Sequence, residues 1–570
     1  MANKIVVDPI TRIEGHLRIE AKVENGKIVD AWSSSTMFRG IEKILQGRDP
    51  RDAWFYTQRF CGVCTTVHSI ASIRAVENAL GIKVPYNAEM LRNIIMGIQN
   101  VQDHVIHFYH LHALDWVDIV SALKADPRKT AALQQSVSDW KYSSADYFKS
   151  VQDKIGAFAN TGRLGPFSNG YWGHPAMKLP PEVNLMGVAH YLEALNLQKE
   201  IIKIHAILGS KNPHPQTFLV GGMAIPVDPN SQNALNAAKI AEINKYIQMA
   251  DEFVKKVYVP DVLAVAPYYL DWTKYGAGHL NYLAYGEFPE TQSGYPDGLW
   301  IPGGIVKDGD LKNVIDVDHN KITEYVTHSW YDYTGGDATA KHPYDGEQNA
   351  NYTGPKPPYD YLNTDEKYSW VKAPRYDDAP MEVGPLARMV VGYARGHKEI
   401  TGAIEYTLSE LNAGAEILFS TLGRTAARAL ESLITVDRMP KWMDMLVNNI
   451  KTGDYETHNP EKWDPESWPT NARGYGFHEA PRGALGHWVV IENKNIKNYQ
   501  AVVPTTWNAS PRDANEQRGQ YEQSLIGTPL ADPERPLEIL RTIHSFDPCL
   551  ACAVHIYDGK GDLKSKVKVL

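Results

Sequence analysis

Apolar and polar residues alternate through "KIVVDPI" (4–10), "HLRIEAKV" (16–23) and "KIVDAWSS" (27–34), and "ENGK" (24–27) separates the second run from the third. This pattern predicts a small antiparallel sheet containing a tight hairpin. From about Ala88 the period lengthens. Leu91, Ile94, Ile98, Val101, Val105, Phe108 and Leu111 recur at steps of three and four, predicting one long helix to about Leu123, with Pro127 just past its end. Further helices are expected over about 182–208, 230–257, 384–398 and 401–436. The stretch 326–380 has no period and is rich in Gly, Pro, Asp and Tyr. So many aromatics predict an irregular excursion packed on the body rather than a disordered linker. The fold class expected is α+β and mainly helical: one large helical body with small antiparallel sheets, the two chain ends converging on its centre.

Composition narrows the function classes. The 570 residues are 43% hydrophobic and 22% charged, enough for a sizeable core. Lys plus Arg number 58 against 67 Asp plus Glu, a net charge of −9 without a long basic run, which argues against nucleic acid as a ligand. No run of about 18 apolar residues predicts a membrane span. The first twenty residues carry Lys4, Asp8, Arg12 and Glu14 where a secretory signal needs an apolar core, so export would depend on an address carried by a partner.

The chain has four cysteines, in "RFCGVCTTVH" (59–68) and "DPCLACAVH" (547–555). A core of this size has no need of disulfide staples, and a bond within Cys-x-x-Cys closes too short a loop to stabilise much. Thiols three residues apart can face one ion, and two such pairs make a four-thiolate cage suited to soft or borderline metals. Structural zinc is the plain reading of such a cage. However, 484 residues separate the pairs, far beyond the 15 to 20 or so of a zinc ribbon. Arg59 and Asp547 stand two residues before a cysteine, charge that proton chemistry needs and a closed structural site does not.

These two motifs resemble the paired signatures of the nickel-iron hydrogenase large subunit. The resemblance extends, in the family's order, through "RIEGHLR" (12–18), "FRGIE" (38–42), "DHVIHFYHLHALDW" (103–116), "NPHPQ" (212–216), "EAPRGALGHW" (479–488) and "VVPTTWN" (502–508). It implies a nickel ion held by Cys61, Cys64, Cys549 and Cys552. Cys64 and Cys552 would bridge to an iron that carries carbon monoxide and cyanide, while Cys61 and Cys549 would be terminal on nickel. The implied reaction is H2 ⇌ 2 H+ + 2 e−, split heterolytically, with Cys549 or Arg482 as the base. An arginine is always protonated, so binding cyanide or orienting substrate is its more secure role.

By the same resemblance Pro481, Arg482 and Thr505 form the cyanide pocket, and Asp103 and Asp547 hold the Arg482 fork. Glu14 carries the proton away from Cys549, and His68 orients the first cysteine loop. Glu42, the carbonyl of Ala501 and His555 bind magnesium or a second iron. Val63 and Leu111 narrow the gas path, and His214 lies near the exit for electrons. Read without the family, Asp103 belongs to a polar helix stripe with Gln99, His107 and His110, and such stripes commonly face water. Glu14 reads as a surface carboxylate, His68 as a core histidine, and Val63 and Leu111 as ordinary packing.

No further cysteines remain for iron-sulfur clusters, so a cluster-bearing small subunit is the expected electron partner, in a heterodimer or a dimer of heterodimers. Likeness to membrane-associated uptake enzymes implies the periplasmic side of the membrane and a cytochrome b acceptor, with a cytoplasmic home as the alternative. Residues 1–555 are expected to form one domain, and 556–570 a tail removed by a maturation endopeptidase. A hydrogen-sensing subunit on the same scaffold, or a relative that holds zinc or no metal, are the alternatives.

Overall fold

The computed structural model describes residues 3–38, 40–162, 167, 170–356 and 358–550. Cys552, His555 and the tail 556–570 therefore lie outside the described residues. Asn3–Val7, Leu17–Glu24 and Lys27–Ser35 form the expected three-stranded antiparallel sheet in sequential order. Its hairpin turns at Asn25 and Gly26, φ 50° and 73°, the left-handed pair that matches strand twist. The aromatics of the 326–380 excursion pack on this sheet, as expected. Trp330, Tyr331, Tyr333, Tyr368 and Trp370 are buried in one cluster with its strands, and Phe38 stacks on Trp370 with ring centroids 5.1 Å apart.

The helical body is built on Tyr86–Ile106 packed against Thr421–Lys451. The long helix expected over 88–123 is shorter. It gives way at His107 to a wider π turn through His112, then to a 3-10 turn Ala113–Asp115, and only Ile119–Ala122 resumes. Three- and four-residue apolar steps cannot report one widened turn, which commonly marks a functional position. The expected helix 401–436 is likewise two. Lys398–Glu410 ends at Asn412, φ 48°, and a new helix starts at Thr421 behind Ser420, whose hydroxyl accepts from the Gly423 N–H at 3.0 Å. That second helix continues through Pro440 to Lys451.

A second sheet went unpredicted: Asn471–Ala480, Gly483–Glu492 and Asn495–Val502, antiparallel and in order. Its first strand lies almost on the backbone of helix Val67–Leu80. A Cβ at Gly474 or Gly476 would come within 2.4 Å of that helix, so only glycine permits the contact. Ala480 pairs with Gly483, which leaves Pro481 and Arg482 alone at a two-residue hairpin tip. No helix among the described residues is long and apolar enough to cross a membrane.

Arg388 anchors that tip from below. It donates to Glu431 and Glu479 at 2.7 Å, to the Ala480 carbonyl at 2.9 Å and to the Pro481 carbonyl at 3.3 Å, all buried. Arg388→Met strands two buried carboxylates and is expected to cost about 3–5 kcal/mol, read as a lower denaturant midpoint. An unchanged midpoint would remove the cluster from the account of stability. Burial alone would raise the Glu431 carboxyl, but Arg388 and His104 outweigh it and bring it down to about 2. A depressed carboxyl contributes in full above its ordinary 4.5, and that contribution is lost as pH falls toward 2.

Candidate metal centre

Two chain segments 484 residues apart meet at the centre of the fold. Cys61 follows a short 3-10 turn, Cys64 precedes helix Val67–Leu80, and Cys549 follows helix Leu537–His544. The Cys61 and Cys549 sulfurs are 3.5 Å apart, and all three lie within 4.8 Å of one another. Each is at most 4% exposed. The fourth expected ligand, Cys552, falls outside the described residues.

Cys549 is placed by the N-terminus. Glu14 and Cys549 form an isolated parallel bridge, in which the Glu14 N–H donates to the Pro548 carbonyl at 3.3 Å and the Leu550 N–H to the Glu14 carbonyl at 2.7 Å. Cys549 is 1% exposed, whereas Glu14 is partly exposed. The Cys549 N–H also donates to the Thr505 hydroxyl at 3.1 Å.

Arg482 reaches in from its hairpin tip between two buried carboxylates, 3.1 Å from Asp103 and 3.1 Å from Asp547. Asp103 is 1% exposed, so its helix face does not meet water. Gln99, one turn earlier, donates to Asp103 at 2.7 Å and to the Val63 carbonyl at 3.2 Å, joining the carboxylate to the cysteine loop. Burial pushes the Asp103 carboxyl up to about 7, opposed by Arg482 and reinforced by Asp547 and Cys61. Burial alone would lower Arg482, but Asp547, Cys549 and Asp103 outweigh it and hold it well above its usual range.

Cys64, Val67, His68, Ala480, Arg482, Val503, Pro504, Thr505 and Cys549 line a cavity of about 10 Å³, room for one small guest. Arg482 and Thr505, expected beside a cyanide, and His68, expected to orient the first cysteine loop, all stand in this lining. Pro481 is not in the lining: its carbonyl turns to Arg388, and Ala480 and Pro504 occupy the wall. His68 continues into a buried chain, its Nδ1 3.0 Å from His487 Nε2, His487 Nδ1 2.6 Å from the Tyr499 hydroxyl, and that hydroxyl 2.8 Å from Ser72.

Of the second expected metal site, Glu42 and Ala501 are described and His555 is not. The helix of Glu42, Ile41–Leu45, packs on the strand carrying Ala501. Burial pushes the Glu42 carboxyl up to about 7, against the pull of Lys372. Lys372 lies 3.5 Å from Glu324 and 3.2 Å from Gln500, the residue before Ala501. Glu324, Lys372, Gln500, Gln99 and His487 were not singled out from the sequence. His487 stood inside a quoted motif, and Gln99 lies one turn from Asp103, but the other three come from regions without a motif.

Val63 is 37% exposed, so it is not core packing. It lies on the surface of the cysteine loop, while Leu111 is partly buried and its carbonyl accepts from Arg12. His214 stands beside this loop, with its N–H donating to Thr65 and its Nε2 close to Gly62.

Among the described residues, three buried sulfurs and the carboxylates of Asp103 and Asp547 gather around the Arg482 guanidinium. Once the thiols ionise, the excess negative charge needs a further cation, and thiolates select a soft one. The residues present thus fit a thiolate-held metal.

The same arrangement of chain recurs in known proteins. Uptake hydrogenase large subunit of Bradyrhizobium diazoefficiens is 53% identical, over 99% of this chain and 97% of that one. Hydrogenase-1 large chain of Escherichia coli K12 is 47% identical over the same shares. Among solved structures, a [NiFeSe] hydrogenase from Desulfovibrio vulgaris Hildenborough superposes with a TM-score of 0.77 at 35% identity, covering 97% of this chain and 99% of that one. One from Dm. baculatum gives 0.74 at 36%, with 97% and 100% covered. Residues 4–34 match a HoxL-like profile and 39–555 the profile described as nickel-dependent hydrogenase. On a profile match over residues 39–555 and relatives about half identical along nearly the whole chain, with three of the cysteines, the arginine and its two carboxylates brought together, the chain belongs to the nickel-dependent hydrogenase family.

Proposed function

We propose that this chain is the catalytic subunit of an uptake hydrogenase, oxidising H2 to two protons and two electrons. The observation that carries this reading is the convergence of Cys61, Cys64 and Cys549 within 4.8 Å, beside a guanidinium held by two carboxylates. Cys552 would complete the ligand set, the four cysteines together holding a nickel-iron centre whose iron carries carbon monoxide and cyanide. When bound, that centre supplies the polarisation that splits dihydrogen heterolytically.

The chain's own residues do the rest. Cys549 takes the proton at its sulfur, and Glu14, tied to it through backbone bonds, passes the proton toward the surface. Arg482 keeps its charge and directs its fork over the cavity, where it binds cyanide or orients H2. Val503, Pro504 and Ala480 exclude water from that wall. Glu42, the Ala501 carbonyl and His555 hold magnesium or a second iron, with Lys372 and Glu324 balancing the charge; oxygen-rich ligation suits magnesium.

Electrons leave where the cysteine loop meets the surface, at Gly62 and Val63, beside Arg59 and His214. We assign the cluster-bearing small subunit to this face, and export with it to the periplasmic side of the membrane, where a cytochrome b takes the electrons. An endopeptidase removes 556–570 after nickel is inserted, leaving 1–555 as one domain.

Metal analysis with infrared spectroscopy of the mature heterodimer tests the reading. One nickel per chain with carbonyl and cyanide bands is expected; zinc alone, with neither band, sinks it.

A further inference from the structure

A second buried cluster lies beside the centre. His112, Asp115 and His544 bring ligand-type atoms within 4.8 Å of one another, a spacing that suits a metal. Their hydrogen bonds leave no place for one. The Asp115 carboxylate accepts from Arg12 at one oxygen; at the other it is 2.6 Å from His544 Nδ1 and 3.3 Å from His112 Nδ1. His544 Nε2 is 2.7 Å from the Thr11 carbonyl. Both partners of His544 are acceptors, so each of its ring nitrogens faces an oxygen on a different element. His112 Nε2 receives the Trp116 indole N–H at 3.1 Å, which puts its own hydrogen on Nδ1 and leaves it neutral. A guanidinium and two histidine rings thus close on one carboxylate.

This knot joins three stretches that are distant in sequence, and it does so next to the proton pair. Glu14 comes two residues after Arg12, and Cys549 five after His544. The N- and C-terminal segments are fastened at two places, Thr11 to His544 and Glu14 to Pro548 and Leu550. Arg12 and Asp547 hold left-handed backbone beside these fastenings, φ 55° and 58°. For a residue such as arginine that conformation persists only where its surroundings impose it. Further bonds brace the knot: His107 Nε2 donates to the His544 carbonyl at 2.6 Å, and Arg541 to the Asp115 carbonyl at 2.8 Å.

We infer that Asp115, with Arg12 and His544, is a positioning set that holds the Glu14 carboxyl in register with the Cys549 sulfur. This rests on the relay reading above. They act through the backbone that carries Glu14 and Cys549.

The test uses the mature heterodimer with Asp115→Asn, His544→Gln and, as a control, Glu14→Gln. The enzyme is given D2 in ordinary water, and the HD and H2 formed are measured together with nickel content. A smaller folded fraction lowers both products alike, whereas slower escape of the deuteron to water changes their ratio. Asp115→Asn is expected to shift the HD-to-H2 ratio at least about twofold with nickel retained, and His544→Gln to shift it the same way by less. A wild-type ratio in both variants overturns the inference. Where Asp115→Asn does not load nickel, His544→Gln decides alone, because its amide keeps one of the two hydrogen bonds and loses the other. Loss of exchange in Glu14→Gln beside wild-type ratios in the other two removes the knot and leaves the relay; wild-type ratios in all three remove both.

Discussion

Glu14→Gln lowers exchange between H2 and water by roughly two to four orders of magnitude, the usual span for loss of a positioned proton carrier, while nickel content stays at the wild-type level. The separation of the two effects follows from how Glu14 is attached. Its bonds to Pro548 and Leu550 are made by backbone N–H and carbonyl, which glutamine supplies equally. The parallel bridge to Cys549 therefore survives, and with it the position of the sulfur. What the substitution removes is a group that can accept and release a proton between a buried sulfur and solvent. Glutamine has nearly the same shape and cannot ionise. Isotope exchange followed by mass spectrometry, with nickel per chain on the same sample, gives both numbers. Exchange at the wild-type rate in a nickel-replete variant would take Glu14 off the proton route.

The site was legible in the sequence where it depends on residue type and motif order. Four cysteines in two pairs pointed to a thiolate cage, three of them meet in the structure, and Arg482 stands 3.1 Å from both Asp103 and Asp547. The fold was legible where period and burial agree, as in the N-terminal sheet and the start of the helix at Tyr86. It was not legible where tertiary bonding replaces local pattern. The π turn at His107–His112 keeps an apolar step of three and four while rotating His107 and His112 toward the C-terminal helix, so the period carries straight through the break. The sheet at 471–502 is anchored by Gly474 and Gly476 lying on a helix, a contact whose only trace in sequence is two unremarked glycines. Asp103 shows the reverse. Its stripe of Gln99, His107 and His110 reads as a wet helix face, and it is the guanidinium of Arg482, 379 positions away, that allows the carboxylate to be buried.

Arg482→Lys is expected to reduce turnover by about a hundredfold, or about 2.7 kcal/mol of transition-state stabilisation, with nickel and the infrared bands of the diatomic ligands retained. Lysine keeps the positive charge, so the anionic pocket remains balanced and the metal can still be held. It loses the planar fork. The guanidinium meets Asp103 and Asp547 at once, both at 3.1 Å, through different nitrogens, and a single ammonium on a flexible stem cannot reproduce that geometry. The carboxylate it abandons is left buried. For Asp103 the consequence has a definite sign: its carboxyl already sits at about 7 with Arg482 pulling it down, so a weaker partner moves it higher and it takes up a proton at neutral pH. The cavity wall then presents a mobile cation, backed by a neutral acid, in place of a fork held from both sides, and misplacement on this scale is what positioned groups are sensitive to. Turnover by dye reduction across pH, alongside infrared spectra, separates the outcomes. A hundredfold loss with unshifted bands assigns Arg482 to orientation of substrate, a loss accompanied by shifted cyanide bands assigns it to the diatomic pocket, and turnover within twofold of wild type would show that charge alone suffices and the fork does not matter.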